Sequence, residues 1–487
     1  MKDLSRHIFD NAIPRDVQKK ALARKTLYEK EFGKSEQVEL HGELNSTLGP
    51  FWGVQTLIQG KGLSFDPGKA VIIGVVGPGY AAYRRGMAVA SVAAFEGYTP
   101  YWLDLGRFSE TLGGKVIHKL NSLHALGQRL SEKYKLFRKL YWENYNYHGL
   151  KTLNCNSMDQ KLSELFAAPI VSLPVDIPFF GAHVWATQAA IHAGLIRVAN
   201  LLPGNWPQGK HLAQGSLHLV QSPSAYYGYR FLHFMDPRRP VLNPIPPDQI
   251  ACVGHFIDHE IVSNIPKDCL IRMKRIQARE PLRIFIVLGE DGTSGEILIG
   301  ILSRIIPKAL SGQVNLYLNF GDQYSLWETA KGLFPQLKEA AIFHEGDWPE
   351  TQKACALALR QQLFGIHVFV HQDLFAAVYT TNLLMRASEL MITNPSELAF
   401  YPVPKLFIKR AEEQEQWNAL RGGELGDGTL EFEHPGQALQ VLDLMIREPD
   451  LLRMQVENII KLHSIGGYNG AYGALKSLLE RRNVGNG

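Results

Sequence analysis

Short apolar runs rich in Val and Ile recur along this chain and alternate with longer stretches of helical character. Such a run is typical of a strand that is buried on both faces of a sheet. The first run, 70–76, is followed by a helical stretch at 81–96 and by a second strand at 99–105. This β-α-β order predicts a parallel sheet. Further elements are predicted as strands at 169–173, 177–180, 195–202 and 216–221, and a helix at 184–193.

The same alternation begins again after a cluster of prolines. The cluster consists of Pro237, Pro240, Pro244, Pro246 and Pro247. Clustered prolines are excluded from helix interiors and central strands, so they indicate a domain boundary. Beyond them the pattern predicts strands at 282–288, 314–320 and 366–370, and a helix at 296–310.

These two alternations predict an α/β protein with two Rossmann-like domains that face each other across a cleft, preceded by an N-terminal helical extension. The predicted segments are the extension at 1–65, a first Rossmann-like domain at 66–250, a linker at 251–280, a second Rossmann-like domain at 281–447, and C-terminal helices at 448–487 that cross back to the first domain.

Composition narrows the class of protein. The chain has 487 residues, of which 45% are hydrophobic and 20% are charged, as in globular proteins. A net charge of +4 is too small to indicate nucleic acid as a partner. The four cysteines lack C-x-x-C spacing, which argues against a zinc knuckle or a disulfide framework and favours the cytoplasm. No run reaches the ~18 apolar residues of a spanning helix, so any membrane contact is expected to be peripheral, on the inner face.

Each predicted domain opens with a strand, a Gly-rich turn and a helix. This arrangement presents free backbone N–H groups and the positive end of a helix to an anion. The first turn contains Gly77 and Gly79 and leads to Tyr80. In the second turn the candidate contacts are Gly292, Thr293 and Ser294, because the two acidic residues before them would repel a diphosphate. Such turns also serve only to pack a strand on its helix, and that alternative stays open.

Two further segments combine a carboxylate with amides. One is Thr393-Asn394-Pro395-Ser396-Glu397, and the other is Gln414-Glu415-Gln416-Trp417-Asn418-Ala419. Sugar hydroxyls alternate as donors and acceptors around a ring, so a site of this composition suits them. The alternative is a capped helix with a solvated Gln/Glu face.

These segments resemble motifs of the GT-B glycosyltransferases. Within them the chain is similar to the branch with monogalactosyldiacylglycerol synthases, processive diacylglycerol glucosyltransferases and the peptidoglycan N-acetylglucosaminyltransferase. The branch's T-K-P-G-G segment is similar to 393–397, and its Q-E-x-x-N-A motif to 414–419. Its Gly-rich loop resembles 77–80, and its strand that ends in a polar turn with a histidine resembles 180–183. The resemblance covers about residues 68–450, at the level of motifs.

The resemblance implies a glycosyltransferase that moves a hexose from a nucleotide-diphosphate sugar, in particular a UDP-sugar, to a lipid or lipid-linked acceptor. The nucleotide sugar is a co-substrate, and no other cofactor is implied. No D-x-D motif is present, so no metal is expected. The implied donor residues are Gly292, Thr293, Ser294, His371, Ser396, Glu397, Gln414, Glu415 and Asn418, with Glu397 on the ribose. Those implied on the acceptor side are Gly77, Gly79 and Tyr80.

His183 is the preferred general base, because a neutral imidazole accepts a proton near physiological pH, and Asp176 is the second candidate. A purely structural histidine is the alternative. Basic residues interleaved with aromatic ones along 115–147 suit an anionic membrane surface or a lipid-linked acceptor, or else an amphipathic helix packed on the sheet.

Other functions stay open. An NAD-dependent oxidoreductase using Gly77 and Gly79 would need a third glycine at the proper offset, which is missing. A sugar-nucleotide epimerase shares the two-domain architecture. A degenerate GT-B protein that binds a nucleotide or a lipid without turnover is the non-enzymatic alternative.

Overall fold

A computed structural model of the chain describes residues 3–34, 38–63, 65–77, 79–134, 136, 149–287, 295–410 and 412–480. The chain divides into two compact units. The first comprises Met1–Asp258 and Asn469–Gly487, and the second comprises His259–Tyr468. Each unit has its own sheet, which confirms the prediction of two Rossmann-like α/β domains.

The strands are β1 His7–Ile8, β2 Asn11–Ala12, β3 Leu40–Leu44, β4 Gln55–Gln59, β5 Ala70–Val75, β6 Thr99–Asp104, β7 Phe179–Gly181, β8 Val198–Leu201, β9 Leu217–Val220, β10 Ile250–Cys252, β11 Leu282–Val287, β12 Val314–Gly321, β13 Ala341–Glu345, β14 Ile366–Val370, β15 Leu390–Thr393 and β16 Lys405–Phe407. The α-helices are α1 Arg15–Phe32, α2 Gly49–Trp52, α3 Tyr80–Phe95, α4 Leu112–Lys133, α5 Leu153–Ser163, α6 Val184–His192, α7 Pro223–Arg230, α8 His259–Gln277, α9 Gly295–Leu310, α10 Tyr324–Leu333, α11 Pro335–Ala340, α12 Trp348–Leu359, α13 Leu374–Ala387, α14 Gln416–Leu425, α15 Pro435–Arg447, α16 Asp450–Ser464 and α17 Gly470–Leu479.

The first unit is built on an eight-stranded sheet with the order β10-β9-β8-β7-β5-β6-β4-β3. Its pairs are parallel except for β3 with β4 at the edge. All residues of β5 are buried, as its continuous apolar sequence predicts. From β5 the chain passes through α3 to β6 on one side, and it then returns to β7 on the other side. The carboxyl ends of β5 and β7 therefore flank a topological switch point.

The second unit has a six-stranded parallel sheet with the order β13-β14-β12-β11-β15-β16. From β11 the chain moves to β12 and outward to β13 and β14, and it then crosses to β15 on the other side of β11. The switch point of this sheet lies between β11 and β15. In open parallel sheets, ligands bind outside the carboxyl ends of the strands at such a point.

The structure differs from the sequence-based expectation in three places. Residues 1–65 contain α1 but also β3 and β4, and β4 pairs with β6 of the main sheet. Residues 169–173 form successive turns rather than a strand, with Leu173 N–H donating to Ile170 O. The predicted linker at 251–280 contains the 19-residue helix α8.

The last helix, α17, belongs to the first unit although it follows the second unit in sequence. Ala474 and Leu478 on one of its faces are buried, and Arg197 Nη2 donates to Leu478 O at 3.3 Å. Gly470 lies so close to the backbone that an added Cβ would be 2.2 Å from Gly254 O. Within the described ranges, no helix has both the length and the apolar character needed to cross a membrane.

Candidate functional site

His183 lies at the switch point of the first sheet, directly before α6. Its Nδ1 accepts a hydrogen bond from the Trp185 backbone N–H at 3.2 Å, so the side chain caps the helix. In a neutral imidazole one nitrogen accepts and the other carries the proton. With Nδ1 as the acceptor, Nε2 carries the proton and is a hydrogen-bond donor.

Burial is the main reason that the pKa of His183 is lowered to about 3, and the positive charges of Arg85 and Lys210 lower it further. The ring is then neutral, and its second nitrogen carries a proton that it can donate. This geometry suits a hydrogen-bond donor better than a base, and the general-base role of His183 stays a prediction.

Arg85 lies on α3, the helix that follows β5, and only 6% of its surface is exposed. Its Nη2 donates to the carbonyl oxygen of Ala182 at 2.8 Å, which places the guanidinium beside the turn that carries His183. Lys210 is half-buried in the loop after β8. Both cations also help to lower the pKa of His211, after burial, so they lie at one end of the sheet with both imidazoles.

Asp159, on α5, is the carboxylate next to this group. Its side chain is hydrogen-bonded to that of Trp185, which packs edge-on against His183 with ring centroids 5.3 Å apart. Burial raises the pKa of Asp159 to about 6, although the nearby cations Arg24 and Lys210 oppose that shift. A carboxylate with a pKa near that value is suited to accept a proton at neutral pH.

The Gly-rich turn of the first unit is partly used by the fold itself. The N–H of Gly77, which has a φ of 64°, donates to Asp104 Oδ1 at 2.7 Å, and the same oxygen accepts from Gly106 N–H. Gly79 precedes α3 as its N-cap without a capping side chain. Tyr80 is buried. Of the three predicted acceptor contacts, Gly79 thus lies half-buried at the start of the helix.

Asp176 does not join this site. It is exposed and lies between β6 and β7 in sequence, close to the amino end of β7. There it lines a cavity together with Lys69, Pro178 and Arg197, at the edge of the sheet opposite to His183. Strand β7 separates Asp176 from His183, although the two residues are close in sequence.

In the second unit, the structure brings together two of the predicted donor segments. The turn after β15 contains Ser396, whose Oγ accepts from Leu398 N–H at 3.4 Å, and the buried Glu397, which begins a short 3-10 helix. Asn418 on α14 is also buried, and its Nδ2 donates to Pro395 O at 3.0 Å. The amide of Asn418 therefore fixes the position of this turn at the switch point.

Gln414 and Glu415 lie immediately before α14, in the 3-10 turn Glu413–Glu415. Glu415 Oε2 accepts from Glu412 N–H at 3.4 Å, as part of a capping box. Glu415 thus has a structural role at the start of the helix, in agreement with the capped-helix alternative. Gln414 is half-buried and lies one residue before it.

His371 follows β14 at the same edge, separated from β15 by β12 and β11. Its side chain is buried and points to α12, where Nε2 and Thr351 Oγ1 are 3.0 Å apart. Burial lowers the pKa of His371 to about 4. The remaining donor candidates, Gly292, Thr293 and Ser294, lie outside the described residues.

Sequence reasoning missed Arg85, Lys210 and Asp159. The signal for Arg85 was the pair Arg84-Arg85 inside an otherwise apolar helix, since two buried arginines need polar partners. Asp159 and Lys210 had no such signal, because each lies in a segment of mixed polarity. In the part of the chain that the structure describes, no group of three or more His, Cys, Asp and Glu side chains is placed to hold a metal ion.

Comparisons with known proteins give two family matches. Residues 7–231 match the model described as Domain of unknown function (DUF6937), and residues 245–479 match the one described as Domain of unknown function (DUF6938). The curated proteins contain no match to the sequence.

Several solved structures are similar to the chain. A putative UDP-N-acetylglucosamine 2-epimerase from Listeria monocytogenes has 13% identity and a TM-score of 0.45, covering 85% of this chain and 97% of that one. A UDP-GlcNAc 2-epimerase from Neisseria meningitidis bound to UDP-GlcNAc has 14% identity and a TM-score of 0.42, covering 85% and 100%. An α,α-trehalose 6-phosphate synthase from Burkholderia multivorans has 11% identity and a TM-score of 0.38, covering 67% and 76%.

Proposed function

We propose that the protein is a glycosyltransferase that uses a nucleotide-diphosphate sugar, with the donor bound by the second unit and the acceptor by the first. The observation that carries this proposal is the hydrogen bond of 3.0 Å between Asn418 and Pro395 O. It joins the carboxylate-bearing turn 393–397 to the amide-bearing start of α14, at the switch point where a parallel sheet binds its ligands. The sequence predicts both segments as donor motifs, from their carboxylate and amide groups and their resemblance to GT-B motifs.

In this proposal Glu397 accepts hydrogen bonds from the ribose, and Gln414 contacts the donor sugar. The diphosphate lies toward the start of α9, where Gly292, Thr293 and Ser294 precede the helix and the helix dipole favours negative charge. On the acceptor side Asp159 takes the proton of the attacking hydroxyl, because its raised pKa suits a base and that of His183 does not.

A thermal-shift panel with UDP, GDP, TDP and NAD tests the donor class. A nucleotide present at 100 times its Kd should stabilise the protein by about 2.7 kcal/mol. Stabilisation by UDP, GDP or TDP supports the proposal, and stabilisation by NAD alone would contradict it. Release of free UDP from a UDP-sugar is then measured with and without acceptor. Release that depends on the acceptor indicates transfer, because epimerisation needs no acceptor.

The donor residues are tested by Gln414→Ala and Asn418→Ala. Each should weaken nucleotide-sugar binding by roughly 1–3 kcal/mol, because polar groups of the sugar or of the turn lose a partner. Asn418→Ala should also lower the melting temperature, since its amide holds the Pro395 turn. Gln437→Ala, on the exposed surface of α15, is the matched control. Unchanged affinity in both variants, measured by calorimetry, would remove these residues from the donor site.

We further propose a lipid or lipid-linked acceptor, based on the basic and aromatic residues at 115–147. The start of this region has a packing role, since Lys119 Nζ forms an ion pair of 2.5 Å with Glu31 on α1. Lys133 is exposed at the end of α4, whereas Lys135, Arg138 and Lys139 lie outside the described residues. Any membrane attraction should therefore come from the later part of the region.

Replacing Lys133, Lys135, Arg138 and Lys139 together by Gln should release the protein from anionic vesicles, at about 1 kcal/mol for each charge removed. The control changes the exposed residues Lys19, Lys20, Lys30 and Lys34 to Gln, with the same loss of charge in the same unit. Equal sedimentation of both variants with vesicles would indicate a soluble acceptor.

A further inference from the structure

Three neighbouring strands of the first sheet carry cationic or hydrogen-donating side chains at their carboxyl ends. In the sheet these strands lie side by side in the order β8-β7-β5. Arg85 lies on the helix after β5, His183 follows β7, and Lys210 lies in the loop after β8. Segments that follow three adjacent parallel strands begin at the same edge of the sheet, and the charges of Arg85 and Lys210 both act on His183 there.

The contacts of His183 determine what it offers to a ligand. Since the Trp185 backbone N–H occupies Nδ1, the imidazole presents Nε2–H. The nine-residue helix α6 starts directly after His183, so its positive end lies at the same place. Arg85 is held against the same turn by its contact with Ala182 O at 2.8 Å.

The balance of charge in this cluster is positive. Within the described ranges, Lys210 makes no ion pair with a carboxylate, and its positive charge acts to lower the pKa of the nearby carboxyl group of Asp159. The raised pKa of Asp159 means that this carboxyl group is a poor counter-ion near pH 6 and below. Two cations and a donating imidazole at a helix start are the groups that recognise a phosphate.

We propose that Arg85, His183 and Lys210 bind a phosphate group carried by the acceptor substrate. The inference rests on the proposed function only in assigning the acceptor to the first unit. It restricts the acceptor to phosphorylated molecules, either a soluble phosphate ester or a lipid with a phosphate headgroup. Asp159, across Trp185 from His183, then faces the part of the acceptor that carries the hydroxyl.

Isothermal calorimetry with inorganic phosphate on the full chain tests the site. Lys210→Gln and His183→Asn should each weaken phosphate binding by about 10-fold or more, since charged hydrogen bonds are lost. Asn keeps the cap on α6 because its side chain also accepts from the backbone, while it is too short to replace Nε2–H. The matched control is Lys69→Gln, an exposed lysine near the opposite edge of the same sheet.

The outcomes distinguish this inference from the proposed function. Phosphate binding that is lost in Lys210→Gln and His183→Asn but kept in Lys69→Gln supports the site. Absence of phosphate binding, or equal binding in all variants, overturns it, and a normal response to UDP in the same preparation would leave the glycosyltransferase proposal intact. Phosphate binding without any nucleotide response would instead support the site and overturn the function.

The source of the phosphate is determined by a second comparison. Vesicles that contain phosphatidic acid should compete with inorganic phosphate if the acceptor is a lipid, whereas glycerol 3-phosphate should compete and the vesicles should not if it is soluble. Acetate is the control for a carboxylate, and it should not compete. If neither the vesicles nor glycerol 3-phosphate competes with inorganic phosphate, the acceptor is not phosphorylated.

Discussion

At the scale of a single residue, Asp159 is half-buried and is proposed to act as the base. Its pKa is raised from 3.8 to about 6 by burial. The ionised form is therefore disfavoured in the folded protein. The resulting loss of stability is absent below about pH 4, where the group is protonated in both states, and it is complete above about pH 6.

Asp159→Asn should accordingly stabilise the protein at pH 8 by about 1–3 kcal/mol, and the gain should vanish near pH 3. If Asp159 is the base, the same substitution should reduce kcat by about 100-fold or more, with little change in nucleotide affinity. Chemical denaturation at the two pH values and steady-state kinetics measure both effects. Transferase activity equal to that of the wild type would show that another group takes the proton.

Helix α3 illustrates the scale of the element, because its approach to the sheet depends on one small residue. A Cβ added at Gly86 would be 2.8 Å from Trp102 Cη2 and 2.9 Å from Ile73 Cγ2. The helix can pack at this distance from β5 and β6 only without a side chain there. The same helix carries Arg85, so its distance from the sheet also sets the position of the guanidinium.

Gly86→Ala should destabilise the protein by about 1–3 kcal/mol, because the neighbouring side chains must shift in a packed core. Gly332→Ala is the control, since nothing lies within 4 Å of an added Cβ at that helical position. The control should gain about 0.5–1 kcal/mol from reduced backbone entropy of the unfolded chain. Thermal unfolding of both variants tests whether their stabilities change in opposite directions. A gain in stability in both variants would contradict the close approach of α3 to the sheet.

At the scale of the whole molecule, the division into units does not follow the order of the sequence, because the first unit contains both ends of the chain. The last helix, α17, completes the first unit, and Leu478 on it is fully buried.

Leu478→Ala should lower the free energy of unfolding by about 2–5 kcal/mol. Hydrogen exchange should show faster exchange in β5 and β7, while β11 and β12 keep their protection. Ile465→Ala, at a residue that is 79% exposed, should leave both sheets unchanged. Uniformly faster exchange in both units after Leu478→Ala would contradict a local role of α17.

The sequence by itself determined the two parallel sheets, because strands such as β5 and β11 are buried on both faces and must be continuously apolar. It also singled out the turn at 393–397 and the start of α14, because each combines a carboxylate with amides. Only the tertiary structure decided which side chains meet. Arg85, Asp159, His183 and Lys210 lie on four segments that no short-range pattern connects, and Asp176, near His183 in sequence, lies at the opposite edge. The protonated nitrogen of His183 depends on one backbone N–H that the folded chain places beside it.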